Sequence, residues 1–322
     1  MFAQSTSQAG GVYPVRRMRK TLLIAADVDR SLFERANADG RFEVVHRPVR
    51  TENELAAIVG DAHILVTRAY NKVSRRVLDA APHLELIAQG TSGIDNIDLD
   101  AARERNIAVI HMPGVNANAV AELVVGFMIS MTRTVPFYTR EVVRGQFSRD
   151  DCATRHELRH FRLGIIGLGQ VGTIVARLAG AFGMSVQAYD PYVAAARVAT
   201  LDELLATSDI VTLHVPLTAE TRRMIGAAEL AKLRRGSYVI NASRGEVLDQ
   251  NAALAALEEG HLAGLALDVF DPEPPGRTFP DDPRLILTPH IGGCSYEVKT
   301  TVGGQLYALV LDFYADRREA SR

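Results

Sequence analysis

The sequence is short of several things, and each shortage removes a class of function. Cysteine occurs only twice in 322 residues, at Cys152 and Cys294, with neither a metal-ligand nor a redox spacing. A disulfide scaffold is excluded, no metal site is expected, and a reducing cytoplasm fits. Charge of one sign is missing too. With 36 basic and 38 acidic residues the net charge is −2, so there is no cationic excess to neutralise phosphates, and no nucleic-acid partner is expected. Long apolar runs are absent. The most apolar stretch, "AELVVGFMISM" (121–131), is too short for a membrane span and carries Glu122, so no membrane partner is expected either. The first 20 residues have no apolar signal core. They lack acids and carry several bases, as organelle transit peptides do, but show no helical apolar face and read as a flexible tail. Tryptophan is missing altogether.

What is present is ordinary for a globular protein: 47% apolar and 23% charged residues, in a length that suits about two domains. From Thr21 short apolar runs alternate with helical stretches. "TLLIAADV", "FEVVHRP", "AHILVT", "LELIAQG" and "IAVIHMP" read as strands. Between them "TENELAAIV" opens with a capping box, Thr51 with Glu54 three residues on. Continuous apolar strands alternating with helices imply a parallel sheet covered on both faces. The rhythm breaks at residues 116–147, which read as a long helix, a pause near Pro136 and a second helix. It resumes with strands at "FRLGII", "SVQAYD", "DIVTLHV", "GSYVINAS", "LAGLALDVF" and "RLILTP", and the chain closes on an amphipathic helix over 295–316. The fold class is therefore α/β, with two doubly wound parallel-sheet domains.

"GLGQVG" places Gly167, Gly169 and Gly172 between an apolar strand and a helix. The first glycine suits the tight turn, the second the approach of a pyrophosphate to the backbone, and the third close helix–strand packing. Asp190 ends the next strand, where a carboxylate accepts from ribose hydroxyls and repels a 2′-phosphate. That favours NAD over NADP.

Three further residues fall just beyond strand ends of the same half, where open parallel sheets bind ligands. Arg244 follows "INAS", Glu273 lies in the loop after "ALDVF", and His290 follows "RLILTP". Singly they are a surface charge, a loop acid and a core histidine. Converging on a dinucleotide cleft, they suit reduction of a 2-keto acid. His290 would donate the proton, Glu273 would hold the ring and favour its protonated form, and Arg244 would pair with the substrate carboxylate.

From about Thr21 to its end the chain resembles the NAD-dependent D-2-hydroxyacid dehydrogenases, a family that includes D-3-phosphoglycerate dehydrogenase. The blocks that carry the likeness are "GTSGIDNIDLDAARERNIAV", "PGVNANAVAEL", "LGIIGLGQVG", "LHVPLTAETRRMI", "INASRGEVLD", "ALDVFDPEPP" and "LTPHIGG". The resemblance implies that Arg244, Glu273 and His290 are the catalytic trio. It implies cofactor contacts at Ser92, Gln170, Val171, Asp190, Val215, Ala242, Ser243, Arg244, Asp268, His290 and Gly293, besides the three glycines. The substrate would meet Arg68, Ser92, Gly93, Arg244 and His290. It also implies a split, flavodoxin-like substrate domain (1–112 plus 291–322), a Rossmann NAD-binding domain (113–290), and a homodimer formed through 116–147. The partner is then a small 2-hydroxy or 2-keto acid. Arg68 matches the position of an arginine near the substrate of phosphoglycerate dehydrogenases, which puts 3-phosphoglycerate narrowly ahead of glyoxylate or hydroxypyruvate. A NAD-sensing binding protein like the corepressors of this fold, and phosphite oxidation, stay as alternatives; the Glu–His pair disfavours formate. The chain departs from the family in lacking the tryptophan usual before the glycine turn, and in a shortened segment after Asp190.

Overall fold

The computed structural model describes residues 19–147, 155–194 and 200–319. The expected tail, save Arg19 and Lys20, lies outside the described residues, as do Cys152 and part of the shortened segment after Asp190.

Each apolar run forms a strand. Strands β1 (Lys20–Ile24), β2 (Phe42–His46), β3 (Ile64–Thr67), β4 (Leu86–Gln89) and β5 (Ala108–Ile110) make a five-stranded sheet in the order β2-β1-β3-β4-β5. Every pairing in it is parallel, with Leu22 opposite Ile64 and Ile64 opposite Leu86. Strands β6 (Arg162–Ile166), β7 (Ser185–Tyr189), β8 (Ile210–Leu213), β9 (Ser237–Asn241), β10 (Leu262–Leu267) and β11 (Leu285–Leu287) make a second parallel sheet, ordered β11-β10-β9-β8-β6-β7. Every residue of β3, β4, β8 and β9 is buried, as a sheet covered on both faces requires. The first order is that of flavodoxin-like folds. The second departs from the common dinucleotide-binding order 3-2-1-4-5-6, in which a further strand flanks the second one. Here β7 is an edge among the described residues, and the next described element is helix Leu201–Thr207.

Two helices tie the halves together. The last, Tyr296–Glu319, packs Val298, Val302, Leu306 and Val310 into the same core as Leu22, Ile24, Ile64 and Val66 of the first sheet. Helix Ala117–Thr132 sends Val120, Val124, Phe127, Met128 and Met131 into the core of the second sheet, with Leu163, Ile165 and Ile240. It breaks at Thr134, which takes a left-handed φ of 52°, and helix Val135–Val143 leaves at 65° with Pro136 in its first turn and no buried residue. No single described helix is long and apolar enough to cross a membrane. The capping box of Thr51 and Glu54 is formed and starts helix Glu52–Ile58.

Candidate active site

The glycine turn shows why each glycine is there. Gly167 has φ 94°, and a Cβ on it would lie 2.6 Å from the carbonyl oxygen of His214. A Cβ on Gly172 would lie 2.1 Å from the carbonyl oxygen of Gly167. These two are required by the protein's own packing. Gly169 is not: nothing lies within 4 Å of its Cβ position. It caps helix Gln170–Ala181, so the one glycine the protein does not need for itself faces open space at a helix N-terminus. A dinucleotide's pyrophosphate fits that place. Behind the turn, Val215 packs against Gly167, and burial lowers His214 to a pKa of about 3, so its imidazole is neutral. Val171 packs on the second core, and the Gln170 side-chain amide lies against Gly114, which takes a left-handed φ of 74° before helix Ala117–Thr132.

Asp190 stands beside the turn as expected. Its carboxylate accepts from the backbone N–H of Leu168 (2.8 Å) and of Tyr192 (2.9 Å). It braces the glycine turn, with lone pairs left on both oxygens for ribose hydroxyls.

The trio sits beyond the ends of β9, β10 and β11. Asn241, the last residue of β9, accepts at its Oδ1 from the buried Ser243 N–H and hydroxyl (3.1 and 2.9 Å) and donates from Nδ2 to the Arg244 carbonyl (2.9 Å). That fixes the Asn241–Ala242–Ser243–Arg244 bend. Gly245 completes it, because a Cβ there would strike the Phe270 carbonyl oxygen at 1.9 Å. Asp268 is buried and bonded at both carboxylate oxygens and at its carbonyl. Its Oδ1 accepts from the Thr288 hydroxyl (2.6 Å) and the Ile291 N–H (2.8 Å), its Oδ2 from the Gly292 N–H (2.8 Å), and its carbonyl from the His290 N–H (2.8 Å). This clasp holds His290 at φ 54°, a left-handed state that costs a non-glycine residue roughly 1–3 kcal/mol. Asp268 therefore positions His290, a task the sequence reading, which placed it among cofactor contacts, did not assign. Gly293 follows the clasp and packs flush on Asn116.

Held this way, His290 meets Glu273: Nδ1 lies 2.5 Å from Glu273 Oε1. The hydrogen bond to Glu273 raises the His290 pKa; burial and the Arg244 charge pull it down, and the charges of Glu273 and Asp268 help to hold it up. Nε2 is left for a ligand.

Arg244 reaches the other domain. Its Nε and Nη2 donate to the Asp95 carboxylate (2.9 and 2.6 Å), and Nη1 donates to the Ser243 carbonyl (2.7 Å). Burial alone would raise the Asp95 carboxyl. The hydrogen bonds and charge of Arg244, with His290 adding to them, outweigh burial and hold it below its ordinary value. Gly93 lies flat against this guanidinium; a Cβ on it would fall 2.0 Å from Nη2. The loop carrying Gly93 and Asp95 is set by side-chain amides, of which Gln89 is buried. Gln89 donates to the Gly93 carbonyl and to Asn96 Oδ1, and Asn96 donates to the Asn71 and Arg68 carbonyls. Ser92 accepts from the Gly114 N–H at its hydroxyl (3.0 Å).

These groups border a cleft of about 1000 Å³ between the domains, lined by Asp95, Arg244, Glu273 and His290 and, on the first-domain wall, by Arg50, Tyr70 and Lys72. Arg68 is not among the residues lining it. Its main chain is held instead, with the N–H bonded to Asn71 Oδ1 (2.9 Å). The guanidinium on this wall belongs to Arg50. Sequence reasoning missed Asp95 and Arg50, although both stand beyond strand ends, the rule that located Arg244 and His290.

Residues 125–292 match the model of the D-isomer specific 2-hydroxyacid dehydrogenase, NAD binding domain. The chain belongs to this family. It is 38% identical over 266 residues to D-3-phosphoglycerate dehydrogenase of Methanocaldococcus jannaschii, covering 79% of this chain and 50% of that one. It is 36% identical to the Escherichia coli D-3-phosphoglycerate dehydrogenase, covering 87% of this chain and 71% of the other. Among solved structures it is similar to D-lactate dehydrogenase from Aquifex aeolicus complexed with NAD and lactic acid, with a TM-score of 0.81 and 28% identity over 93% of this chain and 97% of that one. The chain thus spans about half the length of the archaeal relative. The glycine turn is that of a family NAD-binding domain, and NAD is the cofactor it fits.

Proposed function

We propose that this family member is an NAD(H)-dependent oxidoreductase that interconverts a D-2-hydroxy acid and its 2-keto acid. The observation that carries the reading is the 2.5 Å contact of His290 with Glu273 beside Arg244, in one cleft with the glycine turn's domain. NADH, when bound, supplies the hydride. The chain supplies the rest. Asp95 and the Ser243 carbonyl each take one hydrogen of the Arg244 terminal nitrogens, which leaves a second hydrogen on each for the substrate carboxylate. His290, kept protonated by Glu273, gives its Nε2 proton to the keto oxygen and takes it back in oxidation. Among substrates we rank 3-phosphohydroxypyruvate first, because the curated relatives at 36–38% identity are D-3-phosphoglycerate dehydrogenases, with glyoxylate and hydroxypyruvate next. The test is NADH oxidation with a panel of 2-keto acids; no turnover with any of them would reject the reading in favour of a binding protein.

We also propose a homodimer through the 116–147 region. Its support is Val142, Val143 and Phe147, which are 57%, 81% and 77% exposed, next to a first helix already spent on its own core. Apolar surface of this kind is what subunit interfaces bury. A cytoplasmic location belongs to the same reading, consistent with an exposed free thiol at Cys294. Sedimentation at micromolar concentration tests the dimer.

A further inference from the structure

We infer that Arg50, laid over the ring of Tyr70, is the cleft's tail-binding group, and that the substrates it selects are 2-keto acids with a second anionic group at the end remote from the keto acid. This rests on the oxidoreductase reading and refines it.

The position comes first. In the order β2-β1-β3-β4-β5 the winding reverses between β1 and β3, and ligands of open parallel sheets bind outside the strand ends at such a switch point. Asp27 follows β1 and Tyr70 follows β3. They meet there, the Asp27 N–H donating to the Tyr70 hydroxyl at 2.6 Å. Tyr70 is thereby a fixed platform that lines the cleft.

The guanidinium carbon of Arg50 lies 4.3 Å from the centroid of that ring. Stacking uses the face of the guanidinium and leaves its N–H donors in their own plane, free for a bidentate acceptor. The Arg50 backbone is anchored as well, its N–H donating to Glu54 Oε2 at 3.1 Å within the capping box. The neighbouring cation, Lys72, is already paired with Glu52 at 3.2 Å. Arg50 has no ion pair among the described residues. A guanidinium without an ion pair among the described residues therefore lines the same cleft as Arg244 and His290. Once Arg244 takes the 2-carboxylate, what remains for Arg50 is an anion further along the substrate: a phosphate ester or a terminal carboxylate.

The experiment compares the unaltered protein with Arg50→Gln and Arg50→Lys. The substrates are 3-phosphohydroxypyruvate (phosphate tail), 2-oxoglutarate (carboxylate tail) and hydroxypyruvate (uncharged tail). Arg50→Gln is expected to lower the ratio of kcat/KM for the preferred charged-tail acid to that for hydroxypyruvate by about tenfold or more, mainly through KM. Arg50→Lys should restore part of the ratio, and whichever charged acid loses more identifies the tail. Calorimetric binding of the same acids in the presence of NAD reads Arg50 apart from turnover. If the unaltered protein reduces neither these acids nor glyoxylate, the oxidoreductase reading falls, while selective loss of charged-tail binding in Arg50→Gln would still support the tail site. Equal ratios in Arg50→Gln and the unaltered protein, by rate and by binding, would overturn the inference.

Discussion

The two sheets are wound alike, and they place different things at the same spot. Read from the second strand of each, the orders are β2-β1-β3-β4-β5 and β7-β6-β8-β9-β10-β11, so both reverse between their first and third strands. In the second sheet that reversal holds the glycine turn, pressed on His214, and the ends of β9 to β11 carry the trio. The reactive residues there are held by their neighbours: His290 by the buried Asp268 and by Glu273, the Arg244 backbone by Asn241 and its guanidinium by Asp95. In the first sheet the reversal holds Tyr70, tied to the Asp27 N–H by one hydrogen bond, with Arg50 over its ring. The same winding thus serves chemistry on one wall, where geometry must be rigid, and recognition on the other, where one cation suffices to sort substrates. Changes on the second-sheet wall should strike kcat, and changes on the first-sheet wall KM and selectivity.

The largest effect is expected at His290. His290→Ala should lower kcat by about two to four orders of magnitude, the usual range for a general acid–base group, with NADH affinity in fluorescence titration little altered. Full activity would break the division of labour. Next comes Asp95, which sits on the recognition wall yet holds a group of the chemical one. Asp95→Asn removes the charge that orients Arg244 and should raise KM for every 2-keto acid by about tenfold, whatever its tail. A loss confined to charged-tail acids would place Asp95 with Arg50 instead. Asp190→Ala should weaken NADH by about tenfold and narrow its advantage over NADPH, read as the ratio of the two dissociation constants. An unchanged ratio would leave Asp190 only its bracing of the Leu168 N–H. The smallest kinetic effect is expected at Val143, remote from both walls. Val143→Asp should shift sedimentation from dimer toward monomer, and a monomeric unaltered protein would remove the interface altogether.

Much of this was legible in the sequence, for a local reason. Each of the eleven described strands lies in an apolar run closed by turn residues, so its existence depends on its own residues. The glycine turn and the trio lie immediately beside such runs. What was hidden depends on how distant pieces meet. Asp95 and Arg244 are far apart in the chain and touch only because the domains face each other. Arg68 was the natural choice of substrate cation because it follows β3 at once. Its backbone is tied to Asn71 and Asn96, and it is Arg50, two residues before helix Glu52–Ile58, that comes over Tyr70. The 116–147 segment read as two helices, but composition could not say that the first spends its apolar face on the second core while Val142 and Val143 at the end of the next stay exposed. That β7 forms an edge among the described residues was not legible either, since strand order is a property of the assembled sheet.

The central claim is that Glu273 keeps His290 protonated as the acid of a 2-keto acid reduction. It is tested most directly by the pH dependence of kcat/KM for NADH-dependent reduction, compared between the unaltered protein and Glu273→Gln. Reduction needs the imidazolium, so the rate falls as pH rises through the His290 pKa, which the hydrogen bond to Glu273 has raised. Removing the carboxylate charge lowers that pKa, and the falling limb should move to lower pH by about one unit. A falling limb at the same pH in both proteins, with full activity in the variant, would contradict the claim.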